Sequence, residues 1–177
     1  MQDRQQTYKY LNDFAKYVIQ QSRSNLSKKD KNVTSDLYNS LDKQIEVGAN
    51  SFRLAFLMQD YGKFQDKGVK GKTSSEKAPN SPYKFGSKKG KKGGLTEGID
   101  KWVRNRRIQF KDRNSGKFLS YQSTAFLITR SVYNKGIKPS LFFTKPFEAA
   151  FERLPDELVE AYGLDVEQFL QYTINKK

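Results

Sequence analysis

QIEVGANSFRLAFLMQDY, residues 44–61, is where the chain changes period, and its reading decides the fold class. Ile45 and Val47 alternate with polar residues, and Gly48, Ala49, Asn50 and Ser51 supply turn chemistry. Phe52, Leu54, Phe56 and Met58 then alternate with Arg53, Ala55, Leu57 and Gln59. Two short runs of period two, split by a glycine-containing turn, predict a β-hairpin. The second strand is apolar enough to be expected under cover on both faces.

On either side the period is helical. Tyr8, Leu11, Ala15, Val18 and Ile19 form one stripe over residues 4–23. The polar run 25–32 predicts a break, and Thr34, Ser35 and Asp36 offer a cap for a short helix through Leu37 and Leu41. Leu95, Ile99, Trp102 and Val103 mark an amphipathic helix with Lys101, Arg104 and Arg107 opposite, which assigns Trp102 to the core. KDRNSGK, 111–117, reads as a turn. A second helix follows over Tyr121–Tyr133, with Ala125, Ile128 and Val132 in one row, Phe126 beside it and Gly136 as its C-terminal cap.

SLFFT, 140–144, lies between Pro139 and Pro146 and predicts a short strand, with Phe142 and Phe143 in the core. Phe147, Ala150, Phe151 and Leu154 then make a helical stripe. Pro155 opens a further helix through Leu158 and Val159, Gly163 stops it, and Asp165 caps a last one through Phe169 and Leu170. These elements predict an α+β fold in a single domain of 177 residues: a small twisted antiparallel sheet packed with amphipathic helices, ending in a helical segment over 147–177.

Composition narrows the chemistry. With neither Cys nor His, disulfides, Cys- or His-ligated zinc and His-assisted Ser or Cys nucleophiles are excluded. Carboxylate, Lys, Tyr, Ser and oxygen-ligated metal chemistry remain. The N-terminus has no continuous apolar run, and no segment approaches the ~20 apolar residues of a membrane span, so a soluble chain retained where it is made is expected.

A net charge of +14 attracts polyanions, whether DNA, RNA or an acidic protein. It is unevenly spread. Ten Lys between Lys63 and Lys92 face only Asp66 and Glu76 in a stretch that also holds Gly68, Gly71, Gly86, Gly90, Gly93, Gly94, Pro79 and Pro82. Residues 63–94 therefore read as a long basic loop that orders only on assembly. The tail is acidic, with Glu148, Glu152, Asp156, Glu157, Glu160, Asp165 and Glu167 outweighing Arg153. Such segregation suits head-to-tail association, and ordinary solvated helix faces would look the same.

No motif for catalysis, cofactor or metal emerges. GVKGKT, 68–73, has Asp66 where a phosphate-binding loop needs its first Gly. Asp60, Asp66 and Glu76 lie along the Lys-rich stretch without a reason to converge, and Glu148, Glu152 and Asp156 share a face interrupted by Pro155. The expected contact residues for a portal, a neighbour or DNA are Lys63, Lys67, Lys70, Lys72, Lys84, Lys88, Lys89, Lys91 and Lys92. Tyr61, Phe64, Tyr83 and Phe85 are the candidate interface aromatics.

Two segments resemble known proteins. DYGKFQDKGV, 60–69, and GIKPSLFFTKPF, 136–147, are similar to stretches of neck and tail-completion proteins of tailed bacteriophages, including the ring proteins of crAss-like phages. The shared pattern is Y-x-x-[FY]-x-(D/E)-x-G after a strand, a variable basic loop, two helices, then G-[IT]-x-P-x-x-F into a C-terminal helix. The resemblance implies a non-enzymatic virion protein, assembled in the host cytoplasm, that forms a homo-oligomeric ring of twelve- or sixfold symmetry. The implied partners are the portal, other neck or tail rings and packaged double-stranded DNA, with no membrane. Gly68 would serve a backbone turn near the sheet edge, and Pro139 and Pro146 would delimit the strand. A nucleic-acid-binding protein without sequence preference is the alternative, and a metal-dependent nuclease using Asp60 or Asp66 a more distant one.

Overall fold

The N-terminal stripe becomes α1, Gln5–Lys28, which buries Leu11, Phe14, Ala15, Val18, Ile19 and Leu26 along one side. Tyr8, expected in that stripe, is exposed, and Thr7 is buried in its stead. The computed structural model describes residues 5–28, 35–48, 51–87, 94–156, 158–160 and 162–165. The remaining elements are α2 (Asp36–Ser40), β1 (Asp42–Val47), β2 (Phe52–Leu57), α3 (Gly62–Lys67), β3 (Val69–Lys70), α4 (Gly94–Asn105), α5 (Tyr121–Lys135), β4 (Gly136–Ile137) and α6 (Thr144–Phe151). Helices with small antiparallel sheets make this an α+β protein, and the two sheets pair β1 with β2 and β3 with β4. Among the described residues no helix is long and apolar enough to cross a membrane.

Where the sequence reading has one domain, the chain forms two compact units. The first comprises residues 1–59 and 142–177. Its hairpin sets Ile45 opposite Leu54 and Lys43 opposite Phe56, so alternation puts Phe52, Leu54 and Phe56 on one face. That face joins Leu11, Phe14, Val18 and Leu154 in the core, with Phe143, Phe147, Ala150 and Leu158 packed alongside. The outer face is not covered as expected: Leu57 is exposed, and Arg53 lies across the strands from Glu46 at 3.7 Å. Two strands have no second layer to place there. Phe14, Phe56, Phe143 and Phe147 meet edge-on or stacked at centroid distances of 5.1–6.3 Å. Phe142 is fully buried with Ile19, Leu26, Leu37 and Leu41, a burial that stabilises by about 1.5–3 kcal/mol.

Several local expectations are corrected here. Residues 140–144 form no strand; Phe142 and Phe143 sit in a turn leading into α6, where Pro146 is buried in the first helical turn, a position that needs no N–H. Ser35 precedes α2 without a side-chain capping bond. Gly163 lies within helical residues 162–165, and Asp165 serves another helix: its carboxylate accepts from the N–H groups of Gln6 and Thr7 (3.0 and 2.9 Å) and from the Thr7 hydroxyl (2.6 Å). It thus caps α1, whose own first turn has no acidic residue. The last helix expected through Phe169 and Leu170 lies outside the described residues.

The second unit is Asp60–Leu141. Its buried apolar residues among those described are only Val69, Ala78, Val103 and Ala125. Trp102 is not core: with Val103 taking the buried position of α4 against α5, the indole one residue away stays 38% exposed. Ser120 caps α5 by accepting from Ser123 N–H, and Gly136 ends it at φ +85°. Residues 63–87, expected as a loop, hold α3, β3 and a bridge between Lys70 and Lys84.

Candidate interaction surface

What replaces a large core in the second unit is a backbone junction. The last carbonyls of a helix lack partners within it. In α3 those of Gln65 and Asp66 are met from 75 residues away, by Ser140 N–H (3.0 Å), the Ser140 hydroxyl (2.7 Å) and Leu141 N–H (2.9 Å). Gly68 then turns the chain at φ +69°, and its carbonyl accepts from the buried Ser81 hydroxyl at 2.7 Å. A Cβ at Gly68 would lie 2.5 Å from the Ile137 carbonyl oxygen, so only glycine lets β3 and β4 approach this closely. Lys72, Thr73 and Ser74 continue the line by donating their N–H groups to the Tyr133 and Asn134 carbonyls.

The junction carries side chains outward. Lys70 N–H donates to the Tyr83 carbonyl (2.8 Å) and Phe85 N–H to the Lys70 carbonyl (2.9 Å), which brings segment 83–85 alongside β3. Tyr83 meets Phe64 of α3 edge-on at 4.7 Å, and the Lys63 ammonium sits 5.4 Å from the Phe64 ring. Phe85 meets Tyr133 at 5.6 Å, and Lys72 lies 5.9 Å from that ring. The structure therefore brings Lys63, Phe64, Tyr83, Phe85, Lys70, Lys84 and Lys72 into one connected patch. Tyr61 and Phe64 are exposed, as are Lys63, Lys67, Lys72 and Lys84. Lys88, Lys89, Lys91 and Lys92 fall outside the described residues. Tyr133, one member of the patch, was not among the candidates, because its place in a helical run gave no sign of a partner 48 positions earlier.

The electrostatics follow the two units. Residues 60–141 hold 20 Lys and Arg against six Asp and Glu, a net of +14, which equals that of the whole chain. The other unit has 13 of each and is neutral. Carboxylates do not gather: Asp60 and Glu76 are exposed while Asp66 is buried, and among the described residues no group of three or more acidic side chains is placed to hold a metal. Thr73, in the GVKGKT stretch, gives its hydroxyl to the Asn134 carbonyl, and no helix follows it directly. Chemically the patch is suited to binding: fixed aromatic faces, flanked by cations that attract anions.

An open groove of about 440 Å³ in the first unit runs between α1 and the α2–β1 connection, lined by Lys16, Arg23, Tyr38 and Lys43 among others. Arg23 is engaged there, donating to the Tyr38 and Leu41 carbonyls at 3.1 and 2.9 Å. No protein-family model matches the chain, and neither a curated protein nor a solved structure does.

Proposed function

We propose that this chain is a non-catalytic structural subunit of the neck of a tailed bacteriophage. It forms a homo-oligomeric ring that joins portal to tail and lines the DNA path, on a fold of the tail-completion kind. The observation that carries the reading is the junction between the two segments that resemble neck proteins: the α3 carbonyls of the first accept from Ser140 and Leu141 of the second. That junction supports the exposed Tyr61 and Phe64 and their Lys neighbours. A ring subunit must offer its neighbours such a rigid surface, since ordering a mobile one on binding costs affinity. Antibodies raised against the purified chain test this on particles viewed by electron microscopy. Gold confined to the head–tail junction is expected; unlabelled particles, or label on the capsid shell, would refute it.

A second reading is favoured by the +14 concentrated in residues 60–141: non-specific binding of double-stranded nucleic acid. It predicts that the isolated chain retains DNA of any sequence, with affinity falling steeply as salt rises. No retention at low salt would end it.

A further inference from the structure

The segment between α4 and α5 folds back on itself. Lys111 bridges Phe118 antiparallel, Asp112 N–H donates to the Lys117 carbonyl (2.9 Å), and Leu119 N–H donates to the Phe110 carbonyl (2.8 Å). At the tip the Asp112 carboxylate accepts from Asn114 N–H, Ser115 N–H and the Ser115 hydroxyl at 3.0, 2.8 and 2.9 Å. A tip so braced is rigid, yet it displays an apolar ring: Phe118 is 64% exposed, with the Lys111 ammonium 5.1 Å from its centroid. Phe110, Arg113 and Lys117 are exposed around it. An aromatic held out between cations has the composition of an interface anchor.

The complementary chemistry is in the other unit. Phe147, Ala150, Leu154 and Leu158 turn into its core, from α6 and the segment after it, while other side chains of this stretch stay exposed. Over this stretch Glu148, Glu152, Asp156 and Glu160 are all exposed, outnumbering the exposed Arg153, with Phe151 (49% exposed) and Val159 (74%) among them.

We propose that the 110–118 hairpin of one copy docks on the acidic Phe151–Val159 face of a second copy, head to tail. This names the subunit contact of the ring proposed above and rests on that reading. Because hairpin and face are different surfaces, a head-to-tail contact between them is heterologous and generates a closed ring or an open chain. Nucleic acid would satisfy the hairpin's charge but would leave Phe151 and Val159 uncovered; a second copy covers both sides.

Charge exchange tests it on the full chain. One variant carries Lys111→Glu, Arg113→Glu and Lys117→Glu; another carries Glu152→Lys, Asp156→Lys and Glu160→Lys. By sedimentation at ~50 mM salt, each variant alone associates at least about 10-fold more weakly than wild type. Their equimolar mixture recovers association, because hairpin and face are again opposite in sign in both pairings. Phe118→Ser, which changes no charge, weakens association by a similar factor. A wild type that stays monomeric overturns the docking, as does a mixture that fails to recover. Variants that form the same ring as wild type also overturn it while leaving the ring reading intact; gold labelling of particles decides that reading separately.

Discussion

Asp165 holds the two ends of the first unit together, and removing its carboxylate should be costly. The side chain is 2% exposed and accepts three hydrogen bonds from the first turn of α1, 158 and 159 residues away. Replacing an N-capping acceptor by Ala costs about 0.5–2 kcal/mol. The Thr7 hydroxyl, fully buried, also loses its acceptor, which costs about 1–3 kcal/mol more. Asp165→Ala should therefore destabilise by about 2–4 kcal/mol, and at about 2–4 °C per kcal/mol for a chain of this size its Tm should fall by about 4–16 °C. Circular dichroism during thermal unfolding reads this directly. Asp165→Asn keeps one oxygen acceptor and should lose roughly half as much. Thr7→Ala in the Asp165→Ala background should cost less than in wild type, since the bond is already gone, with a coupling of about 0.5–3 kcal/mol. A melting curve for Asp165→Ala within about 1 °C of wild type would refute the argument, because both contributions have the same sign.

The glycines of the second unit should divide sharply. A Cβ at Gly71 would collide with the Asn134 backbone carbonyl, so Gly71→Ala should cost about 2–4 kcal/mol in denaturant unfolding, whereas Gly98, inside α4 with open space around it, should gain about 0.5–1 kcal/mol on change to Ala. At the hairpin tip, the Ser115 N–H and hydroxyl and the Asn114 N–H hold the Asp112 carboxyl below the usual carboxylate range. A depressed folded value means that this group stabilises the hairpin above its unfolded pKa and stops doing so as pH falls through the folded one. Protection of the Ser115 and Lys117 amides, measured as exchange relative to the intrinsic rate at each pH, should thus fall on strong acidification, with a weaker pH response in Asp112→Asn.

What the sequence disclosed is what depends on neighbours within a few residues. The alternation of Phe52, Leu54 and Phe56 gave the hairpin and its inner face, and Gly136 marked the end of α5, because both effects are local. Burial depends on what lies across, which period alone does not supply. The stripe containing Trp102 and Val103 is helical as its spacing implies, but Val103 is fully buried while the indole stays 38% exposed. Long-range partners were beyond reach: nothing near Gln65 indicates that its carbonyl meets Ser140, and nothing near Asp165 indicates Thr7. The error over residues 63–87 had the same origin. Scarcity of apolar side chains argued against order there, while the actual stabilisation comes from backbone donors and acceptors supplied by 133–141.

That source of order bears on how the second unit can work. A net +14 within one small unit repels itself, and with Val69, Ala78, Val103 and Ala125 as its described buried apolar residues there is little hydrophobic stabilisation to offset the repulsion. The junction tolerates this because its backbone groups pair in fixed register whatever the charge on the side chains they carry, so cations can accumulate outside while these backbone groups stay paired. A surface built this way is preformed, and binding it with an anionic partner relieves repulsion where ordering a loop would cost entropy. The sign of the coupling follows: an anionic surface that covered the patch would stabilise the unit beneath it, so binding such a surface and folding of residues 60–141 would reinforce each other.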